Sequence, residues 1–325
     1  MDDIDKRILT TIQTDLPVEA RPFDALAARL GLAPEDLVAR VARLVADGTI
    51  RRLGPVFDSR RLGYVSTLVA GRIPPDRIEA VAAEVSRLPG VTHNYERQHA
   101  LNLWFTLTAP SAAALDETLA ALRRETGLRE FHSLPALAVY KIRVHFDLTD
   151  EGPAAESAAP QAGPTATEFS AEQKELVRLI QDGMAAEREP LAAPAARLGW
   201  PVERIVEQIR AWLAAGVIRR FGAVVRHQKL GFGANGMSVF RVAAEAVDEA
   251  GQRLARYPEV SHCYRRPPLE GFPYNLFAMV HGRTEDEVRA TVARMAAETG
   301  LADHAVLFSI REFKKVSMRY FLEGP

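Results

Sequence analysis

The sequence predicts an α+β protein in which one two-domain unit, a winged helix-turn-helix followed by a ferredoxin-like βαββαβ domain, is used twice. Three observations predict it. The chain repeats itself, each copy opens with three short amphipathic helical patterns, and each copy then runs through strand and helix periodicities in the order βαββαβ.

The repeat is direct. GTIRRLGPVFDSRRLG (Gly48–Gly63) aligns without gaps on GVIRRFGAVVRHQKLG (Gly216–Gly231), identical at eight of sixteen positions. VTHNYER (Val91–Arg97) matches VSHCYRR (Val260–Arg266), and LNLWFTL (Leu101–Leu107) matches YNLFAMV (Tyr274–Val280). YKIRVHF (Tyr140–Phe146) corresponds to FKKVSMRYF (Phe313–Phe321). Between the copies, Asp150–Glu168 is rich in Pro, Ala, Gly and Ser and reads as a linker long enough to let the halves pair within one chain. The expected units are winged helices at 1–60 and 169–228, ferredoxin-like domains at 61–149 and 229–325, and the linker at 150–168.

Each element has a local cause. Ile4, Ile8, Leu9 and Ile12 share one helical face. Phe23, Leu26 and Leu30 mark a second helix ended by Gly31; Leu37, Val41 and Leu44 mark a third, begun by Pro34 and stopped by Gly48. Arg51–Val56 follows as an extended wing, and the second copy repeats the series from Leu176 to Val225. The rest of half one reads as strand Gly63–Ile73, helix Pro75–Leu88, strands Val91–Arg97 and Leu101–Thr108, helix Ser111–Glu125 and one long strand Phe131–Phe146. Such a sheet carries its helices on one face and leaves the other for a ligand or partner.

Composition narrows the function classes. The 325 residues carry 41 basic and 42 acidic side chains, with 47% hydrophobic and 26% charged residues, which fits a soluble globular protein and disfavours a nucleic-acid binder working by bulk charge. No apolar run approaches the roughly 20 residues of a membrane span. The start MDDIDKR carries no secretory pattern, so the cytoplasm is the expected location. Cys263 alone excludes an intramolecular disulfide or a multi-cysteine metal cluster. Of the basic residues, 35 are Arg and six are Lys.

The chemistry concentrates in the second domain of each half. His93, Tyr95 and Arg97 alternate along one strand and so project to one face, and His262, Tyr264 and Arg266 repeat them. Such residues form a poor core unless each is paired. Asn102 and Trp104, with Tyr274 and Asn275 in half two, lie on the adjoining strand; Lys141, Lys314 and Lys315 lie on the last strands, and Arg51 and Arg219 on the wings. The loop Pro267–Pro273 occurs only in half two and is long enough to fold over a ligand edge. Cys263 and His262 are adjacent on a strand, hence on opposite faces, which opposes a thiol–imidazole dyad. The ligand that suits such a face is large, flat and polyanionic: a tetrapyrrole with carboxylate side chains, or a polyphosphorylated nucleotide.

A winged helix before a ferredoxin-like domain resembles the Lrp/AsnC regulators, which would imply an amino-acid-responsive DNA binder. The third helices, however, begin Pro34-Glu35-Asp36 and Pro201-Val202-Glu203, carboxylates where a reader of DNA presents basic or amide groups. No DNA partner is therefore expected. The motifs IRRLGPVFDSRRLGY, VTHNYER and NLWFTL resemble one subunit type of the siroheme decarboxylases, and IRRFGAVVRHQKLGF, VSHCYRR and GFPYNLFAMVHG resemble the other. The chain thus resembles a fusion of both subunits, departing from the pattern at Leu101 and Phe272.

This second resemblance implies conversion of siroheme to 12,18-didecarboxysiroheme by loss of two carboxyl groups, in heme d1 or alternative heme biosynthesis, with no cofactor beyond the iron tetrapyrrole substrate. It implies His93 and His262 as general acids or axial ligands of the substrate's iron, Tyr95 and Tyr264 in support, and His227 as a further participant, with His99 beside them. Arg97, Arg266, Lys141 and Lys314 would hold the carboxylates that survive. A transcription regulator and a non-catalytic tetrapyrrole sensor remain the alternatives, and a homo-oligomer or additional related subunits remain open.

Overall fold

The structure, a computed structural model, describes residues 1–142, 167–225 and 234–322. Each half opens with three helices and a wing strand: α1 (Asp3–Thr14), α2 (Pro22–Leu30), α3 (Pro34–Ala46) and β1 (Ile50–Phe57), then α6 (Ala171–Ile180), α7 (Ala192–Leu198), α8 (Val202–Ala214) and β7 (Ile218–Val225). Asp2 caps α1 in a reciprocal capping box with Asp5, and Ser170 does the same for α6 with Gln173. Pro34 opens α3 at a position where its missing N–H costs nothing.

The two winged helices are not independent. The wings β1 and β7 pair antiparallel into one two-stranded ribbon. Side chains of both halves, among them Ile8, Leu9, Phe23, Leu176, Ile209 and Trp212, form a single apolar core. Gly222 shows how closely they dock: a Cβ there would lie 2.4 Å from the Ile12 carbonyl oxygen of α1. On α3, Arg40 pairs with Asp2 (2.8 Å), Asp5 (3.1 Å) and Asp36 (3.2 Å), and Arg43 pairs with Asp5 (2.7 Å). The basic groups of that helix are already neutralised from within.

The ferredoxin-like parts contain β2 (Val65–Gly71), α4 (Ile78–Arg87), β3 (Val91–Arg97), β4 (Leu103–Ala109), α5 (Ala112–Thr126), β5 (Phe131–Pro135) and β6 (Ala138–Ile142) in half one. Half two contains β8 (Ala234–Phe240), α9 (Val247–Ala255), β9 (Val260–Arg265), β10 (Leu276–Gly282), α10 (Glu285–Thr299) and β11 (His304–Lys315). All these strands belong to one nine-stranded sheet, ordered β5-β2-β4-β3-β11-β8-β10-β9-β6.

That order corrects the expected long strand Phe131–Phe146. Its first part, β5, pairs with β2 of its own half, whereas β6 leaves and pairs with β9 of the other half. The break falls at Pro135, which has no N–H for a ladder; residues 143–146 lie outside the described residues. Half two reciprocates without a break: β11 pairs with β8 through His304–Phe308 and then with β3 of half one through Ser309–Lys315. Each half thus completes the other's sheet. Tyr140 of β6 packs on α9 so closely that a Cβ on Gly251 would meet its ring at 2.3 Å.

Helices α4 and α5 cover one face of the first half-sheet, with Val81, Val85, Phe105 and Leu119 in that core. Helices α9 and α10 cover the second, over Leu254, Val260, Val280 and Val292. The two uncovered faces turn towards each other, joined by Trp104, Leu134, Met237, Val239, Phe277 and Leu307.

Candidate active site

A cavity of about 450 Å³ lies between those facing half-sheets, within the usual range for small-molecule sites. Both His-Tyr-Arg sets line it. Strand alternation places His93, Tyr95 and Arg97 on this face of β3, while Asn94 points the opposite way and donates to the Ala82 carbonyl of α4 (3.0 Å). Likewise Cys263 points away from His262, buried against Gly251, and burial pushes its thiol up to about 12. It behaves as a small apolar side chain.

The arginines are the most informative groups. Arg97 is 4% exposed, and its Nη1 donates to the Leu307 carbonyl of the other half (2.7 Å). Arg266 mirrors it, donating to the Leu134 carbonyl. Each guanidinium lies over its own tyrosine, Arg97 at 5.5 Å from the Tyr95 centroid and Arg266 at 4.9 Å from that of Tyr264. Burial lowers both to about 10, with no described carboxylate opposing it, and the Nε of each has no hydrogen-bond partner. Cations drawn out of water without counterions are costly, and an anionic ligand relieves that cost.

The imidazoles are held by hydroxyls. Thr92 Oγ1 meets His93 Nδ1 at 2.9 Å and Thr106 Oγ1 at 2.7 Å. Ser261 Oγ meets His262 Nδ1 at 2.8 Å and His281 Nε2 at 2.7 Å. Burial first, then the charges of Lys315 and Arg51, pull His93 down to about 4; burial and Lys315 do the same to His281. Burial raises the phenols of Tyr95 and Tyr264, and Glu312 adds to the effect on Tyr95. At neutral pH the cavity therefore presents neutral His93, His281 and tyrosines beside charged arginines and Lys315. Trp104, Phe277, Met237 and Met279 supply its apolar walls.

Several sequence-derived candidates stand elsewhere. Lys141 Nζ donates to the Tyr257 carbonyl (2.7 Å), just past the end of α9, and Lys314 Nζ donates to those of Ser86 (2.7 Å) and Leu88 (3.1 Å) at the end of α4. Both cap helices of the opposite half, because alternation sends them to the helix-covered face; the next residue, Lys315, faces the cavity. Asn102 brackets Ile73 with two backbone hydrogen bonds (2.9 Å each), and Asn275 brackets Val242 (2.9 and 2.8 Å), so both fix loops rather than line the cavity. Tyr274 and His99 pack against Phe272, at 5.0 and 5.3 Å.

The loop of half two, expected to fold over a ligand edge, turns inward at Phe272, which is buried 5.5 Å from Trp104 of the cavity wall. Arg51 donates to Ser317 Oγ (2.6 Å) and Arg219 pairs with Asp58 (3.0 Å); neither lines the cavity, though their charges reach His93 and Tyr264 respectively. His227 lies outside the described residues. His281, Ser261 and Thr92 escaped the sequence reading. His281 is the penultimate residue of the motif GFPYNLFAMVHG, but its counterpart in half one is Thr108, so a search for features shared by the repeats passes over it.

The AsnC-like ligand binding domain profile matches residues 61–141 and 229–314, and the siroheme decarboxylase NirDL-like HTH domain profile matches residues 5–51. The siroheme decarboxylase of Hydrogenobacter thermophilus is 38% identical over 98% of this chain and 95% of its own length. The chain belongs to the siroheme decarboxylase family. Within that family, the alpha subunit from Desulfovibrio desulfuricans is 44% identical over 46% of this chain and 87% of its own length, consistent with two related subunits fused here. The crystal structure of the siroheme decarboxylase NirDL with an iron-uroporphyrin III analogue superposes with a TM-score of 0.77 at 35% identity, covering 98% of this chain and 95% of that one.

Proposed function

We propose that the protein is a carboxy-lyase that converts siroheme to 12,18-didecarboxysiroheme in the cavity between its half-sheets. The observation that carries this reading is the pair of arginines, Arg97 buried and Arg266 half-buried, which face one cavity with three imidazoles and have no carboxylate partner among the described residues, in a chain of this family. Each acetate loses its carboxyl group as carbon dioxide. The electron pair of the broken carbon–carbon bond stays on the methylene carbon, where the adjoining pyrrole delocalises it, and a proton completes the methyl group. His93 and His262 divide two roles between them: one delivers that proton and the other ligates the iron that arrives with the substrate; no other cofactor is required.

Arg97, Arg266 and Lys315 hold carboxylates that survive. A cation on a reacting acetate stabilises the ground state and opposes loss of carbon dioxide, since only preferential binding of the transition state accelerates the step. The reacting acetates accordingly belong against the apolar walls formed by Trp104, Phe277, Met237 and Met279. The internal pairing of Arg40 and Arg43 supports a winged-helix layer that acts as a scaffold rather than as a DNA reader. No described helix is long and apolar enough to cross a membrane, and the cytoplasm is the compartment we assign.

The test is anaerobic incubation of the purified protein with siroheme, followed by mass spectrometry and absorption. Loss of two carboxyl masses supports the reading. A Soret shift at unchanged mass replaces it with a sensor, and no change in either refutes tetrapyrrole chemistry here.

A further inference from the structure

The two His-Tyr-Arg sets look equivalent in sequence, yet the groups behind their imidazoles differ. In half one the line behind His93 runs Thr92 Oγ1 to Thr106 Oγ1, hydroxyl to hydroxyl. In half two the line behind His262 runs Ser261 Oγ to His281 Nε2, ending on a second imidazole. The repeat aligns Thr92 with Ser261 but Thr106 with Met279 and Thr108 with His281, so the two lines share the bridging hydroxyl and differ in the group behind it. A second asymmetry sits opposite the imidazoles. The residue paired with His93 across the sheet is Lys315, whereas the residue paired with His262 is Ile142.

On the reading proposed above, we infer that His281, acting through Ser261, is the positioning and proton-supplying partner of His262, and that protons for decarboxylation enter through half two alone. The chemistry requires such a supply. Each lost carboxylate breaks one carbon–carbon bond, leaves its electron pair on the methylene carbon and consumes one proton in forming the methyl carbon–hydrogen bond. One siroheme therefore consumes two protons and needs no oxidant or reductant.

An imidazole that has donated once must be reloaded before the second event. Ser261 accepts a proton on one side and releases one on the other, which makes it a conductor between two rings rather than a source. His281 is half-buried at the end of β10, lining the cavity while still reaching solvent. Held neutral at physiological pH by burial and by Lys315, it carries one N–H and one lone pair, the form that takes a proton at one nitrogen while yielding one at the other. The Thr92–Thr106 line has no such group, because an alkyl hydroxyl does not store a proton near neutral pH. It serves instead to fix the ring of His93.

The test is steady-state siroheme turnover with H281A and with H281T, which writes the half-one residue into half two, read together with a Soret titration of binding. The expected result is a fall in kcat of about ten- to a hundred-fold, in the range of a lost acid–base partner, with KM and the Soret titration little changed. Singly decarboxylated product should build up, and added imidazole should restore turnover to H281A. As a second pair, S261T should recover most of what S261A loses, because it returns the bridging hydroxyl. Unchanged kcat in H281A with siroheme bound normally, or loss of rate in H281A that imidazole fails to restore while S261A turns over normally, would overturn the inference. Wild-type protein that binds siroheme without releasing carbon dioxide overturns the proposed function instead.

Discussion

Replacing Arg97 by Met offers a sharp check on the claim that this cavity is built for an anion. Arg97 is 4% exposed and lowered from 12.5 to about 10 by burial. At about 1.36 kcal/mol for each pH unit, holding that charge costs the ligand-free fold about 3 kcal/mol. The penalty is present at all pH values below about 10 and is relieved only as pH rises towards 12.5, so it applies fully at neutral pH. R97M removes it and also removes the hydrogen bond to the Leu307 carbonyl, a loss of about 1.5 kcal/mol. The net expectation is a ligand-free protein about 1–2 kcal/mol more stable than wild type, as found for other buried charges exchanged for apolar side chains.

Binding should move the opposite way. A charge-assisted contact to a carboxylate contributes about 1.5–3 kcal/mol, so Kd for an iron porphyrin bearing acetate and propionate groups should rise by about ten- to a hundred-fold. Urea denaturation of the ligand-free proteins and Soret titration with iron uroporphyrin measure the two effects. An R97M protein destabilised by more than about 1 kcal/mol that binds the porphyrin as wild type does would show Arg97 to be a structural strut and refute the reasoning.

Further outcomes follow from the same geometry. K315M should weaken porphyrin binding, whereas K314M should leave it intact and cost about 1 kcal/mol of stability by uncapping α4, separable by titration and denaturation. H93A and H262A should each bind siroheme and fail to turn it over; normal rates in either would remove that imidazole from the chemistry. His93 and His281, both near 4 when folded, bind fewer protons than in the unfolded chain. Stability should therefore be complete above about pH 6.5 and fall towards pH 4, by at most about 3 kcal/mol for each ring, and H281T should shrink that acid-side loss. G251A should destabilise by about 1–3 kcal/mol, because its methyl meets the Tyr140 ring; an undisturbed protein would mean that β6 does not hold to α9 as described.

Much of the site could be read before the fold was known. Alternation along VTHNYER and VSHCYRR put His, Tyr and Arg on one face and sent Cys263 to the other, because a strand's period of two leaves no freedom once one face is buried. The same rule explains the lysine error. Lys314 and Lys315 differ by one position, and only the register of β11 against β3 reveals which of them turns to the cavity. Asn102 and Asn275 misled for another reason: an amide that brackets a loop through its own backbone partners looks, in sequence, like one offered to a ligand.

By itself the sequence determined the repeat, the helix boundaries set by Pro34, Gly31 and Gly48, and the chemistry gathered on one strand face of each half. These are local properties, decided by capping, periodicity and side-chain type. Only the tertiary structure decided that the halves exchange β6 and β11, that Arg97 and Arg266 are each held by the other half, and that two candidate sites are one cavity. Those facts depend on hydrogen bonds between residues far apart in the chain, whose partners no local pattern names. His281 belongs to the same class: only when β9 and β10 lie side by side does Ser261 join it to His262.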